Sequence, residues 1–187
     1  MRFPDPLCVP ITNHLTGEGY VLVRATDLTP DAATLAQIVA ICNEPAVYRW
    51  LFETLLAGQP YGEASARGWL RWAADGWARG THFVFVVRDA QGRVAAACDV
   101  KSNAPVAEVG YWASAQHRGV MTHTVMAVAG LAAEAGFEGL FARTKPDNVA
   151  SLRVLVRAGF RPCADSARDG MLRFERRLLA LGAERLG

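Results

Sequence analysis

The turn Gln116-His117-Arg118-Gly119-Val120-Met121 follows the apolar run 106–113 and opens directly onto a helical pattern. The first N–H groups of a helix have no partner within it, so they can donate to an anion. Gly119 allows close backbone approach or a positive φ, and Arg118 and His117 add positive charge. These residue types in this order make a pyrophosphate cradle built on the backbone of Gly119, Val120 and Met121. The plainer alternative is a solvated loop at a helix start. Two more positions carry chemistry. Glu108, on the preceding strand, is a candidate general base if its pKa is raised, although a lone strand glutamate is more often solvated or ion-paired. Asp99 and His82 are reserves for that role. Asn148 and Ser151 stand one helical turn apart at the start of a later helix. Asn148 can cap that helix or reach a ligand amide, and Ser151 can donate a proton or simply bond to backbone.

These motifs, in this order and spacing, resemble the GNAT N-acetyltransferase superfamily. Gln116 and Gly119 occupy the first and fourth places of the acyl-CoA signature Gln/Arg-x-x-Gly-x-Gly/Ala, from which Met121 departs at the sixth. The run Arg118-Gly119-Val120-Met121-Thr122 is similar to variants in the branch of ribosomal-protein N-terminal acetyltransferases. Asn148-Val149-Ala150-Ser151, with Gly159-Phe160 after it, resembles that branch's second signature, and Val109-Gly110-Tyr111-Trp112 precedes both. The resemblance covers about residues 19–178.

The resemblance implies acetyl-CoA as co-substrate and no metal. Its pantetheine would enter between two splayed strands, here Val106–Ala113 and 140–144, and meet the backbone at Val109 and Tyr111. The implied binding set is Val109, Tyr111, Gln116, His117, Arg118, Gly119, Val120, Met121, Thr122, Asn148 and Ser151. Glu108 would be the base. Many members place a tyrosine seven residues after the asparagine to protonate the leaving thiolate. Leu155 stands there in this chain, so Ser151 is the substitute acid. His123 sits where the branch often carries glutamate and reads as a surface or packing residue. The implied reaction moves an acetyl group to a primary amine, on a small molecule or a protein or peptide N-terminus, by direct attack. The rival is a non-catalytic acyl-CoA-binding or ligand-sensing protein of the same fold.

Composition narrows the partners. The 187 residues are 51% apolar and 20% charged with a formal charge of +2, a globular profile with no basic stripe for nucleic acid. One domain, residues 1–187, is the default. Cys8, Cys42, Cys98 and Cys163 are widely spaced, with no C-x-x-C pair, which favours reduced thiols over a zinc site or redox dithiol. Prolines interrupt the N-terminus, and no apolar run is long enough for a bilayer, so a cytoplasmic protein without membrane contact is expected. Glu44, Glu53 and Glu63 are dispersed, which disfavours a polycationic acceptor.

The elements that must position these residues follow from hydrophobic period and turn chemistry. Residues 1–18, with Pro4, Pro6 and Pro10, read as an extended arm containing at most a short edge strand. A strand over 20–24 leads to a helix start at Thr29-Pro30-Asp31, with Thr29 as cap. Glu44-Pro45 breaks the helical pattern, and 63–79 forms another helix with Trp69, Trp72 and Trp77 near one face. Residues 82–87 and 94–100 form a hairpin, and Val106–Ala113 is the third strand of a meander. A helix over 120–135, a strand over 140–144, a helix over 148–158 and strands over 160–163 and 170–178 complete the chain, with 179–187 fraying. The result is an α+β fold: a GNAT-like mixed, mostly antiparallel sheet of six to seven strands flanked by about four helices, with one splayed pair. The aromatic helices 44–79 would wall the acceptor pocket. The open sheet edge and apolar helices could support a homodimer.

Overall fold

Alternating and continuous apolar runs build one sheet in the computed structural model, which describes residues 1–163 and 170–178. Its strands are β1 (Cys8–Thr12), β2 (Gly19–Arg24), β3 (Phe83–Arg88), β4 (Val94–Val100), β5 (Val106–Ala113), β6 (Gly139–Thr144), β7 (Arg161–Pro162) and β8 (Leu172–Arg177). The spatial order is β1-β2-β3-β4-β5-β6-β8-β7. All neighbours are antiparallel except β5 and β6. The meander and mixed sheet are those expected. The strand count rises to eight because β1 forms inside the proline-bearing arm. The expectation of fraying over 179–187 lies outside the described residues.

Five helices cover the sheet: α1 (Ala32–Cys42), α2 (Pro45–Leu51), α3 (Glu63–Arg79), α4 (Val120–Glu134) and α5 (Val149–Arg157). Pro45 opens α2 at its first turn, where a missing N–H costs nothing. The start of α1 differs from expectation. Asp31, not Thr29, caps it, its carboxylate accepting the Thr34 N–H at 2.8 Å. That hydrogen bond holds the Asp31 carboxyl below its ordinary pKa.

The sheet has apolar side chains on both faces. Phe83, Phe85 and Val87 of β3 join the cluster under α4 and α5, while Val84 and Val86 join the cluster under α1 and α3. Burial on both faces explains why β3 is a continuous apolar run rather than an alternating one. The three α3 tryptophans do not share a face. Trp69 packs with the α1–α3 cluster, and Trp77 turns to the opposite cluster, its indole donating to Val84 O at 2.9 Å. Trp72 is 40% exposed and stacks on His82 at 4.1 Å. Spacings of three and five residues spread wider on a helix than a single stripe. Among the described residues, no helix is long and apolar enough to cross a membrane.

Phe85 is fully buried and touches the rings of Phe3 at 5.2 Å and Trp77 at 5.4 Å. Phe85→Ala is expected to cost about 3–5 kcal/mol of stability, read from chemical denaturation with an unchanged slope.

Candidate active site

A break in the sheet creates the site. Strand β5 pairs with β4 through Val109–Ala113, but with β6 only at Val106, Ala107 and Glu108. Beyond Glu108 the two strands separate, leaving one edge of β5 open. The first turn of α5 stands at this opening: the Tyr111 hydroxyl lies 2.7 Å from Ser151 Oγ and donates to Ser151 O at 3.3 Å. The gap is a cleft of about 290 Å³ lined by Val109, Tyr111, Thr144, Asn148 and Ser151 on one side and Trp50 of α2 on another. The splay expected from the resemblance is therefore present between β5 and β6.

The turn Gln116–Met121 lies at the end of the open strand. Gly119 is the N-cap residue of α4 with φ 104°, and no side chain caps this helix. Asp31 caps α1 and Asn148 caps α5, while α2 and α3, like α4, start without a side-chain cap. The Thr122 hydroxyl in the first turn of α4 is buried and finds no hydrogen-bond partner among the described residues. An uncapped helix start beside an orphaned buried hydroxyl fits an oxygen-rich ligand such as a pyrophosphate. Arg118 is exposed at the turn, and so is Gln116. His117 is engaged elsewhere, its Nδ1 lying 3.0 Å from the Tyr20 hydroxyl of β2.

Residues remote in sequence hold this turn, and no local pattern announced them. Asn13, in the loop between β1 and β2, donates its Nδ2 to Arg118 O at 3.1 Å, and His14 Nδ1 lies 2.6 Å from Gly119 O. A Cβ at Gly119 would run into Asn13 Oδ1 and stand 2.9 Å from Leu15 Cγ, so glycine is required by both φ and packing. On the other flank, the Glu44 carboxylate at the start of α2 accepts from Ser114 Oγ and from Ala115 N, each at 2.6 Å. Helix α2 is thereby fastened to the segment that leads into the turn.

The catalytic candidates separate by environment. Glu108 reaches the cleft, but its carboxylate is clamped by Lys101 Nζ at 2.8 Å and Arg143 at 2.9 Å. Burial pushes its pKa up, while hydrogen bonds and charge from Lys101 and Arg143 outweigh that and leave it below the ordinary 4.5. The raised pKa expected for a base is absent, because a neighbour seven residues away and another on β6 neutralise the charge. His82, the reserve base, packs under Trp72, with Nε2 2.8 Å from Trp72 O, and does not line the cleft. Asp99 pairs across the sheet with Gly110, and its pKa is raised, chiefly by burial.

Asn148 takes the capping role, accepting from Ser151 N at 3.2 Å, yet it also lines the cleft. Its amide nitrogen donates to nothing among the described residues, so capping and ligand binding are compatible. Leu155 is fully buried and supplies no acid. The side chain of Tyr111, expected only as a backbone contact, lies against Ser151. Burial raises its pKa, so it stays protonated. His123 Nδ1 lies 2.6 Å from Thr12 O, a packing contact to β1. Burial also pushes the Cys42 thiol up to about 12 and raises that of Cys98, leaving neither as a ready thiolate nucleophile.

Glu44→Ala removes both hydrogen bonds to the turn. Amide exchange is expected to accelerate at residues 114–119, while β3 remains protected. For Glu108 the sign follows from its depressed folded pKa: its stabilisation is present above about 4.5 and is lost as pH falls through the folded value. Glu108→Gln should therefore melt below wild type at neutral pH, and the two melting temperatures should converge as the solution is acidified below about pH 4.5.

Comparison with known proteins places this geometry. No curated protein sequence matches the chain significantly. Among solved structures, Mycobacterium smegmatis RimJ in complex with CoA-disulfide superposes with a TM-score of 0.71 at 15% identity, over 95% of this chain and 90% of that one. The Salmonella typhimurium acetyltransferase that modifies the N-terminal serine of 50S ribosomal subunit protein L7/L12 gives 0.67 at 18% identity, over 91% and 100%. The microcin C7 self-immunity acetyltransferase MccE, in complex with acetyl-CoA and AMP, gives 0.67 at 12% identity, over 84% and 92%. At these identities the similarity is one of fold. The model of the acetyltransferase (GNAT) domain matches residues 21–161, which span the splayed strands, the uncapped turn and α5, and the chain belongs to that family.

Proposed function

We propose that the protein is an acetyl-CoA-dependent N-acetyltransferase that moves the acetyl group to a primary amine by direct attack. One observation carries this reading: the open edge of β5 is followed, after one short turn over 114–118, by the uncapped start of α4, so one extended ligand can meet both. The N–H groups of Gly119, Val120 and Met121, with Arg118 and the Thr122 hydroxyl, suit the pyrophosphate. Backbone at Val109 and Tyr111 and the Asn148 amide suit the pantetheine.

Holding the thioester against β5 lowers the entropic part of the barrier for an amine that arrives from the α2 side. A new C–N bond forms as the C–S bond breaks, the nitrogen loses a proton and the thiolate gains one. Ser151 faces the cleft and is the proposed donor to the thiolate. Tyr111, kept protonated with its hydroxyl 2.7 Å from Ser151 Oγ, can return a proton to the serine as the serine gives one up. With Cys42 and Cys98 held as thiols, nothing on the acyl path favours a covalent enzyme intermediate. The acceptor wall of Ala46, Val47, Trp50 and Leu51 is apolar, and the charged residues lining the cleft are Lys101, Arg143 and Lys145 against Glu108 alone. A polycationic acceptor is disfavoured, while a peptide N-terminus or small amine fits. The acetyltransferase for a ribosomal protein N-terminus among the structural neighbours supports the same class.

Acetyl-CoA titrated into wild type by calorimetry is expected to bind in the micromolar range. Arg118→Glu, an exposed charge reversal, should weaken binding at least about 10-fold, and more at low salt. This variant is preferable to Gly119→Glu, which would also displace Asn13 and Leu15. Thiol release with a panel of peptides and small amines then decides between transferase and binding protein. Tight binding without turnover on any amine would leave only an acyl-CoA-binding module.

A further inference from the structure

The base expected on β5 is neutralised, and the sheet offers another carboxylate beside it. The side of β5 that carries Glu108, Gly110 and Trp112 faces the acceptor helices, since Trp112 packs in the α1–α3 cluster. Across the β4–β5 pair, Asp99 stands opposite Gly110, next to Lys101, whose N–H donates to Glu108 O. Gly110 lines the cleft. It has no side chain to fill the space above it, and Asp99 takes that space: a Cβ built on Gly110 would lie 2.6 Å from Asp99 Oδ1 and 2.9 Å from Lys101 Cε. The carboxylate of a residue on β4 is thereby laid against the β5 glycine that lines the cleft, one residue behind the lining itself.

The two carboxylates differ in what holds them. Glu108 has two cationic partners within 3 Å. Asp99 is held by backbone N–H groups, its own and that of Gly110, with no side-chain donor among the described residues, and Lys101 spends its ammonium on Glu108. The charged groups acting on Asp99 are Lys101, which favours its ionised form, and Glu108, which opposes it. Its β3 partner, Val84, is apolar. A carboxylate held by backbone N–H groups alone, with no ion pair, takes up a proton more readily than one bridged by lysine and arginine, which must first give up those bonds.

We infer that Asp99, reaching over Gly110, is the general base that takes the proton from the attacking amine nitrogen, while the Lys101–Glu108–Arg143 cluster shapes the acceptor side of the cleft. This rests on the N-acetyltransferase reading. As the nitrogen bonds to the thioester carbon and the C–S bond breaks, the ammonium proton passes through one water above Gly110 to an Asp99 carboxylate oxygen, and then to solvent. The departing thiolate is protonated separately, on the Ser151 side. The amine and the leaving group are thus served from opposite sides of β5.

The test compares wild type, Asp99→Asn and Glu108→Gln with acetyl-CoA and the best amine from the thiol-release panel. Asp99→Asn is expected to keep its acetyl-CoA affinity within about 2-fold and to lower kcat/KM at least about 100-fold. It should also lose the rise of kcat/KM with pH, which Glu108→Gln retains. Asp99→Asn within about 3-fold of wild type with that rise intact, or loss of the rise in Glu108→Gln instead, would overturn the assignment while leaving the transferase reading standing. Acetyl-CoA binding by wild type with no turnover on any amine would overturn both. As a check independent of variant folding, the Asp99 carboxyl is titrated by carbon NMR in the wild-type enzyme. A midpoint coinciding with the acid limb supports the base role, and one more than about a unit away rejects it.

Discussion

Everything at the site depends on a strand pairing that stops early. Backbone N–H and C=O groups withdrawn from water need partners, and a sheet ordinarily supplies them from the next strand. Here β6 supplies them to β5 at three positions and then diverges. The remaining edge, from Val109 onward, is paired on its β4 side and open on the other. Such an edge is a template for an extended, amide-bearing ligand. The Tyr111–Ser151 contact keeps α5 at the mouth of the opening, between the two strands and not over either alone.

The turn before α4 is as much a product of its surroundings as of its own residues. A glycine at φ 104° tolerates many conformations in isolation. Asn13 and His14 from the arm, Glu44 from α2 and Tyr20 from β2 select one by bonding to Arg118 O, Gly119 O, the Ser114–Ala115 segment and His117. The same Glu44 contact joins α2, which walls the cleft, to the segment that leads into the turn, so the two share one mechanical connection. Fixed donors that need not reorganise when a charged ligand arrives are what make such a cradle effective.

Charge on the acceptor face follows a related logic. Lys101, Glu108 and Arg143 form a closed cluster at the edge of the cleft, and Trp50 lies between the Arg49 guanidinium at 4.6 Å and Lys145 at 6.0 Å. Cations outnumber the one ion-paired glutamate on this surface, so the local field there is positive. Asp99 is raised in pKa by burial on the same face that lowers Glu108 by pairing. Two carboxylates of one sheet surface thus have their pKa values pushed in opposite directions.

The sequence by itself determined the local pieces: the basic turn at a helix start, the three-strand meander, the Asn148 and Ser151 helix turn and the gap at Leu155. Each is written within a few consecutive residues, where period, capping and turn chemistry act. The tertiary structure alone decided what long-range contacts control. It turned Trp77 away from Trp69, recruited Asn13 and His14 from about a hundred residues upstream, and clamped Glu108 between Lys101 and Arg143. It also set Asp99 over Gly110, a contact that exists only because β4 and β5 pair in one register. The physical reason is that a pKa or a cavity is a property of neighbours in space. A strand announces its own period, but not which side chain its partner will lay across it.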